Sequence, residues 1–150
     1  MKTISNFMVD HNKLIEGIYT SRVDGDITTY DIRMAKPNNG YYLSNDSIHT
    51  FEHLFATYAR NSEFEKSIIY VGPMGCRTGF YLLVRDLSPA NSIKLVKESM
   101  DFIANYNGKI PGRSAVECGN YIEHSLEGAN QIAQSMQVIL KDWSVEKLVY

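Results

Sequence analysis

Three segments whose apolar residues recur at helical spacing limit this chain to folds in which a second layer covers their stripes. Ser44-Asn45-Asp46-Ser47 offers several N-cap candidates ahead of a helix running to about Arg60, with Ile48, Phe51, Phe55 and Tyr58 on one face. Ser88 followed by Pro89 opens a second helix, whose stripe is Ile93, Val96, Met100 and Ile103 and whose stop is Asn107-Gly108. A third begins near Ser125 and carries Ala129, Ile132, Ala133, Met136, Ile139 and Leu140. The covering layer is supplied by strands. Residues 27–34 alternate, with Tyr30, Ile32 and Met34 on one side and Thr29, Asp31 and Arg33 sharing the other. Ser67 to Val71 and Phe80 to Arg85 are further short strands, joined by Pro73-Met74-Gly75-Cys76-Arg77-Thr78-Gly79, and residues 109–121 read as irregular chain. The predicted fold is α+β, a two-layer sandwich with helices packed on one face of an antiparallel sheet. At 150 residues and 44% apolar side chains, one domain spanning 1–150 is expected.

Charge and cysteine content narrow the function classes. The formal charge is -2, from 15 basic and 17 acidic residues spread along the whole length, which argues against a nucleic-acid partner. No apolar run approaches the roughly 20 residues needed to span a bilayer, and the start lacks a signal-peptide pattern, so a cytoplasmic protein without a membrane partner is expected. Two separated cysteines, Cys76 and Cys118, are then expected free, catalytic or metal-bound rather than paired.

The motif richest in chemistry is His49-Thr50-Phe51-Glu52-His53. On a helix, His49 and His53 lie about 40° apart and Glu52 about 60° to the other side of His49, so three reactive groups share a narrow arc. Two imidazoles one turn apart can hold a divalent metal, and the neighbouring carboxyl can manage protons, the logic of the H-x-x-E-H class. Cys118, in Glu117-Cys118-Gly119-Asn120-Tyr121, can complete a three-ligand set with one open position. Cys76 has two readings. Between glycines and beside Arg77 it has the surroundings of a reactive thiolate; as a fourth ligand it would instead close a structural His2Cys2 cage. An H-x-x-E-H metallopeptidase is a further alternative. His11 and His124 carry little signal alone, and His124 reads as a residue that orders the turn before the third helix.

Taken together, Asp10-His11, Asp31-Ile32-Arg33, His49-Thr50-Phe51-Glu52-His53, Pro73-Met74-Gly75-Cys76-Arg77-Thr78-Gly79 and Glu117-Cys118-Gly119-Asn120-Tyr121 resemble, in the same order, the LuxS family of S-ribosylhomocysteine lyases. That resemblance implies a bacterial homodimer with active sites at the subunit interface. Its reaction would cleave S-ribosylhomocysteine to homocysteine and 4,5-dihydroxy-2,3-pentanedione, the autoinducer-2 precursor, by carbonyl migration and β-elimination, serving quorum sensing or recycling in the methionine cycle. It further implies His49, His53 and Cys118 as ligands of one Fe(2+) or Zn(2+) per subunit, with Cys76 and Glu52 as catalytic acid/bases. His11, Arg33 and Arg60, with Asn6 and Asp31, would line the substrate pocket. The chain departs from the family's pattern at Asn6, where many members carry Ser, and at Tyr70, where many carry an acid.

Overall fold

The computed structural model describes all residues, Met1–Tyr150. Four strands, β1 (Gly17–Asp24), β2 (Ile27–Arg33), β3 (Ile68–Pro73) and β4 (Gly79–Arg85), form one antiparallel sheet in the order β1-β2-β4-β3. Three helices, α1 (Asn45–Asn61), α2 (Pro89–Asn105) and α3 (Leu126–Ile139), cover one face, as the stripes require. No helix is long and apolar enough to cross a membrane.

Strand β1 is the element that the sequence pattern did not reveal. Its pairing with β2 slips between Thr20 and Arg22, so the inward and outward positions exchange midway and no clean alternation survives. The other elements lie close to their expected bounds. Ser67 closes a short 3-10 turn, so β3 starts one residue later, and α2 ends at Asn105 because Tyr106 is already extended. Helices α2 and α3 are capped as their sequences predict: Ser88 Oγ accepts from the Asn91 N–H, and Ser125 Oγ from the Gly128 N–H. Ser44 has the extended backbone of an N-cap but no cap bond; its hydroxyl turns to Asp46 and Ser47 instead.

Parity along the strands assigns two different jobs to the two faces of the sheet. Tyr30, Ile32, Phe80, Leu82 and Val84 are buried against Phe51, Leu54 and Phe55 of α1, with the rings of Phe51 and Phe80 5.0 Å apart. Each such side chain contributes roughly 1.5–3 kcal/mol through burial. Asp31, Arg33 and Tyr81 therefore point away from the helices. This outer face is partly roofed by the C-terminal segment, where Leu148 O accepts from the Thr20 N–H (2.7 Å) and Tyr150 stacks on Tyr19 with ring centroids 5.1 Å apart.

Gly17 is what lets that segment close. Its φ of +154° disfavours a side chain, and the indole of Trp143, whose Nε1–H donates to Ile18 O, occupies the place a Cβ would take. Gly17→Ala should cost about 2–3 kcal/mol by overpacking and backbone strain. Urea unfolding measures it, and a loss under about 0.5 kcal/mol, the scale of an ordinary surface change, would contradict this seating.

Candidate active site

The first half of the site is built on α1. One turn of helix separates His49 from His53, and each imidazole is aimed by its Nδ1–H, which donates to Glu123 O (2.8 Å) and Pro111 O (2.7 Å) respectively. Both Nε2 atoms are thereby left as free lone pairs turned to a common point. Cys118 Sγ lies 3.3 Å from His49 Nε2 and 3.9 Å from His53 Nε2. Tetrahedral zinc with Zn–S about 2.3 Å and Zn–N about 2.0–2.1 Å would set these at about 3.6 Å, between the two observed values. The loop can approach His53 because Gly112 adopts φ +70°, and a Cβ there would come to 3.1 Å from the imidazole Nδ1. The Asn120 N–H reaches Cys118 Sγ at 3.5 Å, which orients the sulfur within its loop. Glu52 is half-buried on the same helix.

A fourth group joins this cluster that sequence reasoning had assigned only to turn formation. One ring nitrogen of His124 lies within 4.8 Å of the donor atoms of His49, His53 and Cys118. Burial, then the neighbouring His49, His53 and Arg113, push its pKa down to about 4. Its ring stacks on His49 with centroids 4.0 Å apart and planes 20° apart, whereas His49 and His53 meet at 89°. An ion lies in the plane of each imidazole that binds it. Two nearly parallel stacked rings share no such point at about 2 Å from both nitrogens, so the four-residue cluster reduces to a His2Cys donor set. Its soft sulfur and two nitrogens fit zinc or ferrous iron rather than magnesium or calcium.

The second half is organised by the outer face of the sheet. Asp31 and Arg33, two residues apart on β2, form an ion pair with Nη2 to Oδ2 of 2.5 Å and about 3% of each side chain exposed. Burial works against the charge on Arg33, but the hydrogen bond and charge of Asp31 outweigh it and raise the guanidinium above its ordinary range. Arg33 Nη1 donates to Thr78 Oγ1 (2.7 Å) and lies 3.9 Å from Cys76 Sγ, while Thr78 Oγ1 is 3.1 Å from that sulfur. The Tyr150 hydroxyl donates to Asp31 Oδ2 (2.8 Å), tying the C-terminal residue to the same network. Burial and the Asp31 carboxylate push the phenols of Tyr81 and Tyr150 up.

A cavity of about 400 Å³ gathers Asn6, His11, Arg33, Cys76, Thr78 and Tyr81. The Asn6 amide donates to Tyr81 Oη at 3.0 Å, and His11 Nδ1 is 2.9 Å from Val9 O. Arg60 is not in this group. Its guanidinium donates to Ile69 O (2.9 Å) and Ile68 O (3.5 Å) at the start of β3, and Tyr70 is a half-exposed side chain whose hydroxyl folds over Gly72.

Asp31→Asn should leave Arg33 buried without its counter-charge and lower stability by about 3–5 kcal/mol. Urea denaturation tests this, and a change below about 1 kcal/mol would mean that the pair does not hold Arg33 in place.

The two halves do not meet within one chain. His49, Glu52 and His53 belong to the helical layer, Arg33 and Tyr81 to the opposite face of the sheet, and no metal-set residue lines the Cys76 cavity. Both halves are edged by exposed apolar side chains, Ile4 (54%) and Phe7 (75%) at one and Val116 (97%) and Ile122 (72%) at the other.

A two-layer α+β sandwich with a convergent His2Cys set, and a glutamate on the helix that carries both histidines, is a fold and site of the metalloenzyme class. The sequence model of the S-ribosylhomocysteinase (LuxS) family matches residues 4–147. Among curated relatives, the S-ribosylhomocysteine lyase of Finegoldia magna is 43% identical, with 100% of this chain and 99% of that protein aligned. The S-ribosylhomocysteine lyases of Phocaeicola vulgatus (42%; 100% and 98%) and Borreliella burgdorferi (44%; 100% and 99%) are similar. The chain belongs to the LuxS family of S-ribosylhomocysteinases.

Proposed function

We propose that the chain cleaves S-ribosylhomocysteine to homocysteine and 4,5-dihydroxy-2,3-pentanedione, using one Fe(2+) or Zn(2+) per subunit. The observation that carries this reading is the convergence of His49 Nε2, His53 Nε2 and Cys118 Sγ on one point, in a chain of this family. A divalent metal bound there supplies Lewis-acid polarisation of a sugar carbonyl, which acidifies the neighbouring C–H. Cys76, as thiolate, takes the proton from C2 and returns it to C1, then repeats the transfer one carbon along, so that the carbonyl moves from C1 to C3. Glu52 carries the hydroxyl protons during both shifts. Glu52 then takes the proton at C4, which expels the homocysteine thiolate from C5, and passes that proton to the leaving sulfur; the enol left across C4 and C5 tautomerises to the dione. Arg33 and Thr78 hold the Cys76 sulfur, Asn6 and His11 line the same pocket, and Asp31 acts on it from behind by holding Arg33. Arg60 remains a candidate for the substrate's amino-acid carboxylate once it leaves the strand carbonyls.

This chemistry requires both halves at one sugar, which supports a homodimer in which the metal set of one protomer faces the Cys76 cavity of its partner. The exposed apolar borders of the two halves are surfaces of the kind such an interface would cover. Two free thiols and the absence of a membrane-spanning helix accord with a cytoplasmic enzyme. A closed His2Cys2 cage finds no support, since Cys76 lies with Arg33 and Thr78 on the other face of the sheet.

Chelation should abolish thiol release from S-ribosylhomocysteine, and Zn(2+), Fe(2+) or Co(2+) should restore it. Thiol titration reads the outcome; release that persists in metal-free protein would overturn the reading.

A further inference from the structure

His124 holds three contacts that share one geometric consequence. Its ring is stacked on His49, its centroid lies 5.0 Å from that of the His53 ring with the planes 73° apart, and its Nδ1 is 2.9 Å from Thr50 Oγ1. Thr50 fixes the tautomer. Its hydroxyl oxygen already accepts the Ser125 N–H at 2.9 Å, and the side chain is fully buried, so its own hydrogen has no water to reach. The acceptor within range is His124 Nδ1, which must therefore offer its lone pair, and the ring proton sits on Nε2. Nε2 is buried and has no partner in the protein. An orphaned buried donor costs about 1–3 kcal/mol, and this one belongs to the ring that closes round the metal set. With Nδ1 tied to Thr50, the polar edge left for the centre is the Nε2–H.

We propose that His124 is a catalytic hydrogen-bond donor rather than a ligand: its Nε2–H binds an oxygen of the substrate's sugar chain at the mouth of the His49–His53–Cys118 set. The inference rests on the lyase reading for the identity of that oxygen. An N–H fixed by Thr50 on one side and by stacking on the other needs no reorganisation as negative charge grows on the oxygen during each proton shift. That is the condition under which a single donor has a large effect on rate.

Two variants separate the donor from the ring. His124→Gln keeps an amide N–H near the place of Nε2 without the imidazole, and His124→Phe keeps a ring against His49 without the donor. Both should load metal to the same stoichiometry as the unmodified protein. Their Co(2+)-loaded forms should keep its visible absorption bands, because the ligand set is unchanged. His124→Phe should lose about 10²–10³-fold in kcat, and His124→Gln should stay within about tenfold of the unmodified enzyme. Metal loss or shifted cobalt bands in both variants would make His124 a ligand and overturn the proposal, as would an undiminished kcat in His124→Phe. Failure of the unmodified holoenzyme to release homocysteine would overturn the lyase reading and the sugar oxygen with it. Failure of the His124→Phe arm alone overturns only this inference.

Discussion

Cys76→Ala is expected to retain its metal and to lose homocysteine release by about 10²–10⁴-fold, while Cys118→Ala loses the metal itself. In the sequence both cysteines are isolated single residues, but their surroundings differ. Cys118 faces two imidazole lone pairs and accepts a backbone N–H. Cys76 faces a guanidinium and a hydroxyl on the opposite side of the sheet. The first environment is a donor set for a cation, and the second holds a single sulfur beside a positive charge and a hydroxyl. Metal analysis paired with a thiol-release assay separates them, and loss of metal from Cys76→Ala would contradict the assignment.

The second large effect concerns two variants that are each inactive alone. If every active site joins the metal set of one protomer to the Cys76 cavity of the other, Cys76→Ala and Glu52→Gln chains should complement each other. In an equal mixture of exchanged chains, half the dimers are mixed, and each mixed dimer has one intact site of two. Activity should return to about a quarter of the unmodified level. Sites contained within single chains would give no recovery. The expectation follows from parity along β2 and β4: Arg33 and Tyr81, beside Cys76, point away from the layer that holds His49 and His53, and no residue of the metal set lines the Cys76 cavity.

How far the sequence made this legible depends on the range of the interactions involved. His49, Glu52 and His53 were readable because a helix fixes their relative directions within five residues. The shared face of Asp31 and Arg33 was readable for the same local reason. Their burial was not, because the Tyr150 roof comes from 119 residues away. Strand β1 escaped notice because a bulge breaks its period, and its partner across the edge is the distant Trp143 and Leu148 segment. His124 read as a turn residue because its significance lies in Thr50 and His49, more than 70 positions earlier, and no spacing rule links them. The resemblance to a family assigned Arg60 to the pocket, whereas local geometry ties it to the carbonyls of Ile68 and Ile69.

Anomalous scattering from crystals of the metal-loaded protein, collected at the metal's absorption edge, tests the central claim most directly. One peak per subunit is expected, bound by His49, His53 and Cys118 and no other side chain, with the partner subunit's Cys76 facing it across the interface. A peak that includes Cys76 or His124 among its ligands, or one lying away from the His49–His53–Cys118 set, would contradict it.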